Sequence, residues 1–177
     1  MKKILLTALI GLASTVAMAD QAVSVEGVKY KAEDSSSKET FDGFAIGYTN
    51  SGTAALGWGV KAELLDGKYS DLTSVSVFAQ KDLWSNGATY VNGSVGAGYS
   101  YLDFDEADLS FNQLFVPINL EAGVNVGKNA AVYGSVGYRF DFSISDTKYF
   151  TDGEDVYYAD GEDFDGFTYK LGVKYKF

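Results

Sequence analysis

The chain has 177 residues, and its 24 acidic against 14 basic side chains leave a formal charge of −10, a surface that argues against nucleic acid and against docking on anionic lipid. It holds neither cysteine nor histidine, which excludes disulfide staples, thiolate or imidazole metal sites, and Ser-His or Cys-His nucleophiles. Twenty glycines, 13 tyrosines and 12 phenylalanines beside a single proline suit many closely spaced strands with an aromatic surface.

The chain opens with Met1, Lys2 and Lys3, runs through apolar, small or hydroxylated residues from Ile4 to Val16, and places Ala17-Met18-Ala19 before Asp20. That is the three-part layout of a cleaved secretory signal, and the apolar run is short for a membrane helix, which needs about 20 residues. Residues 1–19 are therefore read as a signal peptide and residues 20–177 as one barrel domain.

The first strand, Ala22 to Ala32, is ambiguous: Val23 and Val25 share a face with Lys29 and Lys31, so either a bulge flips the register or its upper end leaves the apolar zone. From Phe44 onward the period is two. Phe44, Ile46 and Tyr48 alternate with Ala45, Gly47 and Thr49; Leu56, Trp58, Val60, Ala62 and Leu64 alternate with Gly57, Gly59, Lys61 and Glu63. Val75, Val77 and Ala79 follow, then Val91, Val95, Ala97, Tyr99 and Tyr101. The stretch 113–126 carries Leu114, Val116, Ile118, Leu120, Ala122, Val124 and Val126 on one face, and 131–144 carries Val132, Val136, Tyr138, Phe140, Phe142 and Ile144. The last strand presents Phe167, Tyr169, Leu171, Val173, Tyr175 and Phe177. A helix would spread these residues round its circumference, so the pattern predicts eight strands.

Short links are expected at 50–53, 83–87 and 127–129, and longer polar ones at 33–39, 66–71, 103–110 and 145–165. Alternating link lengths fit an antiparallel up-and-down barrel that spans a membrane with short turns on one side. Two features favour membrane over water. Several strands exceed the 9–11 tilted residues that a crossing needs. The less apolar face carries Lys61, Glu63, Glu121, Arg139, Asp141 and Lys170 between glycines, as a packed, charge-paired interior would. Phe41, Phe44, Tyr101, Phe111, Phe140, Phe142 and Phe167 fall at the loop ends, and Tyr48, Tyr175 and Phe177 at the turn ends, where aromatic bands meet the membrane interfaces.

The signal ending in Ala-Met-Ala and the final strand, Phe-Thr-Tyr-Lys-Leu-Gly-Val-Lys-Tyr-Lys-Phe, resemble those of the small eight-stranded outer-membrane barrels of the OmpA-transmembrane-domain, OmpX and opacity-porin type, over the whole mature length. The resemblance implies a Gram-negative outer-membrane location among lipid and lipopolysaccharide. It also implies that Tyr169, Leu171, Val173, Tyr175 and Phe177 form the signal read by the barrel-assembly machinery.

No catalytic residues, cofactor or metal are expected. Glu63 and Glu121 are paired-carboxylate candidates for glycoside hydrolysis, but a barrel this narrow would wall them off, and pairing with Arg139, Lys170 or Lys61 is the stronger expectation, since an unpaired buried charge is prohibitively unfavourable. Those pairs could act as a structural plug or as a gate for small ions. In the last loop Asp152, Glu154, Asp155, Asp160, Glu162, Asp163 and Asp165 surround Tyr157 and Tyr158; their spacing matches no calcium loop, and a solvated acidic surface is favoured over cation binding. The expected function is a monomeric structural or surface-interaction barrel, with a host or phage surface protein as a conceivable contact. The alternatives are a narrow porin-like channel and, at lower weight, a soluble periplasmic ligand-binding barrel.

Overall fold

A computed structural model describes residues 21–33, 38–51, 56–104, 109–144, 148–152, 155–159 and 164–177; the expected signal segment 1–19 lies outside the described residues. The strands are β1 (Gln21–Glu33), β2 (Lys38–Asn50), β3 (Leu56–Asp66), β4 (Ser70–Ser85), β5 (Thr89–Phe104), β6 (Leu109–Val126), β7 (Ala130–Ser143), β8 (Lys148–Asp152), β9 (Asp155–Ala159) and β10 (Asp165–Lys176). Eight of them close into an antiparallel barrel in the order β1-β10-β7-β6-β5-β4-β3-β2, and β8 with β9 forms a separate two-stranded sheet. The up-and-down barrel read from the alternation is the architecture found.

Turn chemistry sets one end of the barrel. Gly87 and Gly127 adopt φ of 85° and 79°, a left-handed conformation that only glycine takes freely. Asn86 Oδ1 accepts from the Thr89 amide at 2.8 Å and from the Ala88 amide at 3.2 Å, closing the turn between β4 and β5. Asn129 Nδ2 donates to the Lys176 carbonyl at 2.9 Å, tying the β6–β7 turn to the last strand.

The opposite end departs from the expected link lengths. Segment 66–71 is no long loop: the Gly67 amide donates to the Ser70 carbonyl at 2.8 Å, and β3 pairs with β4 up to Asp66↔Asp71. Its polarity belongs to strand ends that rise above the apolar wall, not to chain leaving the sheet. At the turn end, β4 likewise absorbs residues 83–85, with a register shift between Asp82 and Trp84. That shift is a bulge, in which Leu83 is the extra residue. The link 145–165 contains the β8–β9 hairpin.

β1 pairs without a break along both neighbours, so its ambiguity resolves without a bulge, and Val25, Lys29 and Lys31 all point outward. Along β6 the Pro117 position interrupts pairing with β5 between Ile118 and Phe115, but the register is kept; proline has no amide to give.

The two faces separate cleanly. Leu120, Val132 and Leu171 are 49%, 46% and 70% exposed on the outer wall, and Arg139 is 2% exposed inside. Glycines at inward positions make space for rings: a Cβ on Gly98 would stand 2.3 Å from the Phe115 ring, and one on Gly96 2.9 Å from Phe78 Cβ. Phe41 and Phe111 are exceptions to the expected outer aromatic band. Both lie inside, 1% and 6% exposed, because their parity matches the inward residues Ala45 and Gln113 of their own strands.

Candidate functional site

The enclosed core of the barrel is layered along its axis. In the middle, Lys61 Nζ meets Glu26 Oε1 at 2.7 Å and Lys170 Nζ meets Glu63 Oε1 at 2.5 Å. Toward the turn end Lys174 Nζ meets Glu121 Oε1 at 2.6 Å, and toward the loop end Arg139 Nη2 meets Asp141 Oδ1 at 2.6 Å. Each carboxylate comes from a strand whose inward parity places it there, and each cation reaches it across or along the lumen.

Neutral groups complete the shell. Tyr133 OH donates to Glu26 Oε1 at 2.7 Å, and Ser74 Oγ donates to Glu63 Oε2 at 3.2 Å. Arg139 also donates through Nε to Asp141 Oδ2 at 2.7 Å and through Nη2 to Ser100 Oγ at 2.8 Å. Its guanidinium carbon lies 3.8 Å from the centroid of Phe115 and 5.2 Å from that of Tyr30, within cation–π range of both. Tyr30 OH has both Asp141 Oδ2, at 3.0 Å, and the Phe164 carbonyl as acceptors within reach of its one proton. Lys174 Nζ sits 4.7 Å from the Tyr133 ring centroid.

The expected interior residues, Lys61, Glu63, Glu121, Arg139, Asp141 and Lys170, all line this core. Their pairing differs in part from the expected set. Glu63 meets Lys170, but Glu121 is held by Lys174, Lys61 by Glu26, and Arg139 by its own strand neighbour Asp141. Glu26 and Lys174 are the residues that sequence reasoning missed. Lys174 was visible by parity with Lys170, and Glu26 was obscured by the mixed outer face of β1.

Among the described residues, free space inside the barrel lies at the centre and toward the turn end. A central chamber of about 40 Å³ holds roughly three waters at most. Toward the turn end it gives way to a vestibule of about 380 Å³ bordered by Tyr90, Asn92, Asn125, Lys128, Lys174 and Lys176. Toward the loop end Tyr30, Ala32, Phe41, Leu65, Leu72 and Leu102 pack into an apolar layer, with Phe104 and Phe164 against it. That apolar layer departs from the polar, charge-paired interior expected from the sequence. Glu63 and Glu121 each engage a different lysine.

The remaining expected residues lie elsewhere. Tyr169, Leu171, Val173, Tyr175 and Phe177 form one outward row on β10 and its end. Asp152 and Asp155 close the β8–β9 hairpin, and Glu154, Asp160, Glu162 and Asp163 lie outside the described residues. Asp165 belongs to the barrel rim: its Oδ1 accepts from the Asp141 amide at 2.8 Å.

Comparison with known structures returns barrels of this size. The fold matches Neisserial surface protein A (NspA) with a TM-score of 0.62 at 15% identity, over 90% of this chain and 98% of that one. The fold is that of the small outer-membrane β-barrels. It also matches Ail, the attachment invasion locus protein of Yersinia pestis, crystallised with the heparin analogue sucrose octasulfate, with a TM-score of 0.60 at 17% identity over 90% of this chain and 100% of that one. OprG from Pseudomonas aeruginosa gives 0.55 at 14% identity over 90% and 96%. No family model matches the sequence, and no curated protein matches it.

Proposed function

We propose that this chain is exported through its signal segment, inserted in a Gram-negative outer membrane, and serves there as a structural and surface-interaction barrel that neither conducts nor catalyses. One observation carries the reading: beyond the turn-end vestibule the lumen is filled, with four ion pairs in its polar part and an apolar layer toward its loop end, inside a wall whose outward residues are mostly apolar. A lumen stoppered by Phe41, Leu72 and Leu102 disfavours the passage of ions to the loop side. The acidic last loop would then be the displayed surface. Its charge would repel a polysulfate of the kind found with Ail, so the contact it fits is neutral or cationic.

The narrow-channel reading retains one supporting feature, the vestibule open toward the turn end. The two readings part in planar bilayers. Purified, heat-modifiable protein is expected to give no resolved current steps, and Arg139→Ala the same flat trace. Discrete steps in the wild type that change in Arg139→Ala would replace the structural reading with a gated pore.

A further inference from the structure

The charges at the centre of the barrel all find an opposite, but those at its turn end do not. β10 sends Lys174 and Lys176 inward there, and the β6–β7 turn adds Lys128 at the rim of the vestibule. Lys174 is taken by Glu121 at 2.6 Å. Lys176 Nζ donates to a neutral group, Asn125 Oδ1, at 2.7 Å. Among the described residues neither Lys176 nor Lys128 has a carboxylate within ion-pair distance. Asp82 borders the same space from β4, which stands across the barrel from β10, and there Asn92 Nδ2 donates to its Oδ1 at 2.9 Å.

Tyr90 lies beneath these lysines. Its register partner on β6 is Gly123, where a Cβ would stand 2.5 Å from the tyrosine oxygen, so the glycine lets the ring lean over its neighbouring strand. Lys174 Nζ and Lys176 Nζ lie 5.5 and 5.6 Å from the centroid of that ring, within cation–π range. Tyr90 is only 8% exposed, and its hydroxyl has no hydrogen-bond partner among the described residues. Buried polar groups in folded proteins are nearly always paired. A water would satisfy the hydroxyl but leave Lys176 without a countercharge, and a cation would meet three lysines against one aspartate. An acceptor that carries negative charge answers both needs at once.

We infer that the turn-end vestibule is a binding site for a small oxyanion, the carboxylate or phosphate group of a solute, held by Lys176 and Lys128 with the Tyr90 hydroxyl donating to it. The space of about 380 Å³ takes such a group together with part of what carries it. The vestibule opens on the side of the turns, away from the acidic segment that ends at Asp165 on the opposite rim, so a negative solute approaches without crossing that charge. The apolar layer of Phe41, Leu72 and Leu102 lies toward the other end of the lumen, which suits a site that holds a solute and does not pass it on. The site needs the closed barrel and not the membrane, so it stands or falls apart from the reading above.

Folded protein in detergent can be titrated with inorganic phosphate and separately with acetate, against chloride at matched ionic strength, while backbone amide shifts are followed by NMR. Saturable shifts confined to the amides around Tyr90, Asn125 and Lys176 are expected with phosphate or acetate, and the tighter of the two names the group. Lys176→Gln should weaken binding about tenfold or more, as for a lost hydrogen bond to a charged group. Tyr90→Phe, which keeps the ring, and Lys128→Gln, on an exposed turn, should each weaken it several-fold. Lys38→Gln, an exposed cation at the loop end, should bind as the wild type does. Heat-modifiable mobility checks that each variant is folded, and the two milder variants decide the matter if Lys176→Gln is not. No saturation in the wild type, equal saturation with chloride, unchanged affinity in a folded vestibule variant, or an equal loss in Lys38→Gln would overturn the site.

Discussion

Lys170 and Glu63 illustrate why charge is tolerated inside a chain that must otherwise exclude it. Both side chains are nearly fully enclosed, 5% and 7% exposed, and each supplies the other's countercharge within a shell of hydroxyl donors. Removing one partner strands the other, and breaking such a pair costs about 3–5 kcal/mol. Lys170→Met is therefore expected to lower the unfolding free energy by that amount, read as a lower urea midpoint of the folded, heat-modifiable form. Combining it with Glu63→Leu should recover most of the loss, because no uncompensated charge then remains. Equal destabilisation by single and double variants would mean that packing volume, not charge, governs the site. Parity along β3 and β10 made both residues legible as inward. Their partnership was only one of several combinations open to Glu63, because alternation fixes a face and says nothing of height.

At the scale of the element, β10 closes the barrel between β1 and β7 and presents an unbroken outward row ending in Tyr175 and Phe177, with exposures of 55% and 57%. Neither ring is buried in the core, so Phe177→Ala should leave the stability of refolded protein nearly unchanged while lowering several-fold the amount of folded barrel recovered from cells. Comparing urea midpoints in vitro with heat-modifiable yield in outer-membrane fractions checks this; parallel losses in both would assign the residue to packing alone. β1 is where element-scale reading faltered. Its outer face mixes Val23 and Val25 with Lys29 and Lys31, and a local pattern cannot distinguish a register flip from a polar patch on an unbroken strand. The continuous pairing with β10 and β2 decides for the patch.

For the whole molecule, the orientation of its two faces is the quantity to measure. The two tryptophans in the sequence, Trp58 and Trp84, lie outward at the turn end, 53% and 52% exposed. Reconstituted in bilayers whose acyl chains carry bromine, both are expected to be quenched strongly, and more by bromines near the headgroup than by bromines at the chain end, as for residues at an interface. Emission indifferent to brominated lipid would mean that the apolar wall meets something other than hydrocarbon.

What the sequence determined by itself is whatever depends on periodicity along one strand: the number of barrel strands, the split between outer and lumen faces, and the turn residues Asn86, Gly87 and Gly127. These are local properties, because the side-chain period of two is intrinsic to an extended backbone. What the tertiary structure alone decided is whatever depends on how neighbouring strands are staggered: that Glu121 meets Lys174, that Phe41, Leu72 and Leu102 converge into a stopper, and that Lys174 and Lys176 lie over the ring of Tyr90. Stagger emerges only when the sheet closes on itself, since closure ties strand tilt to register around the whole circumference, and no single strand encodes it.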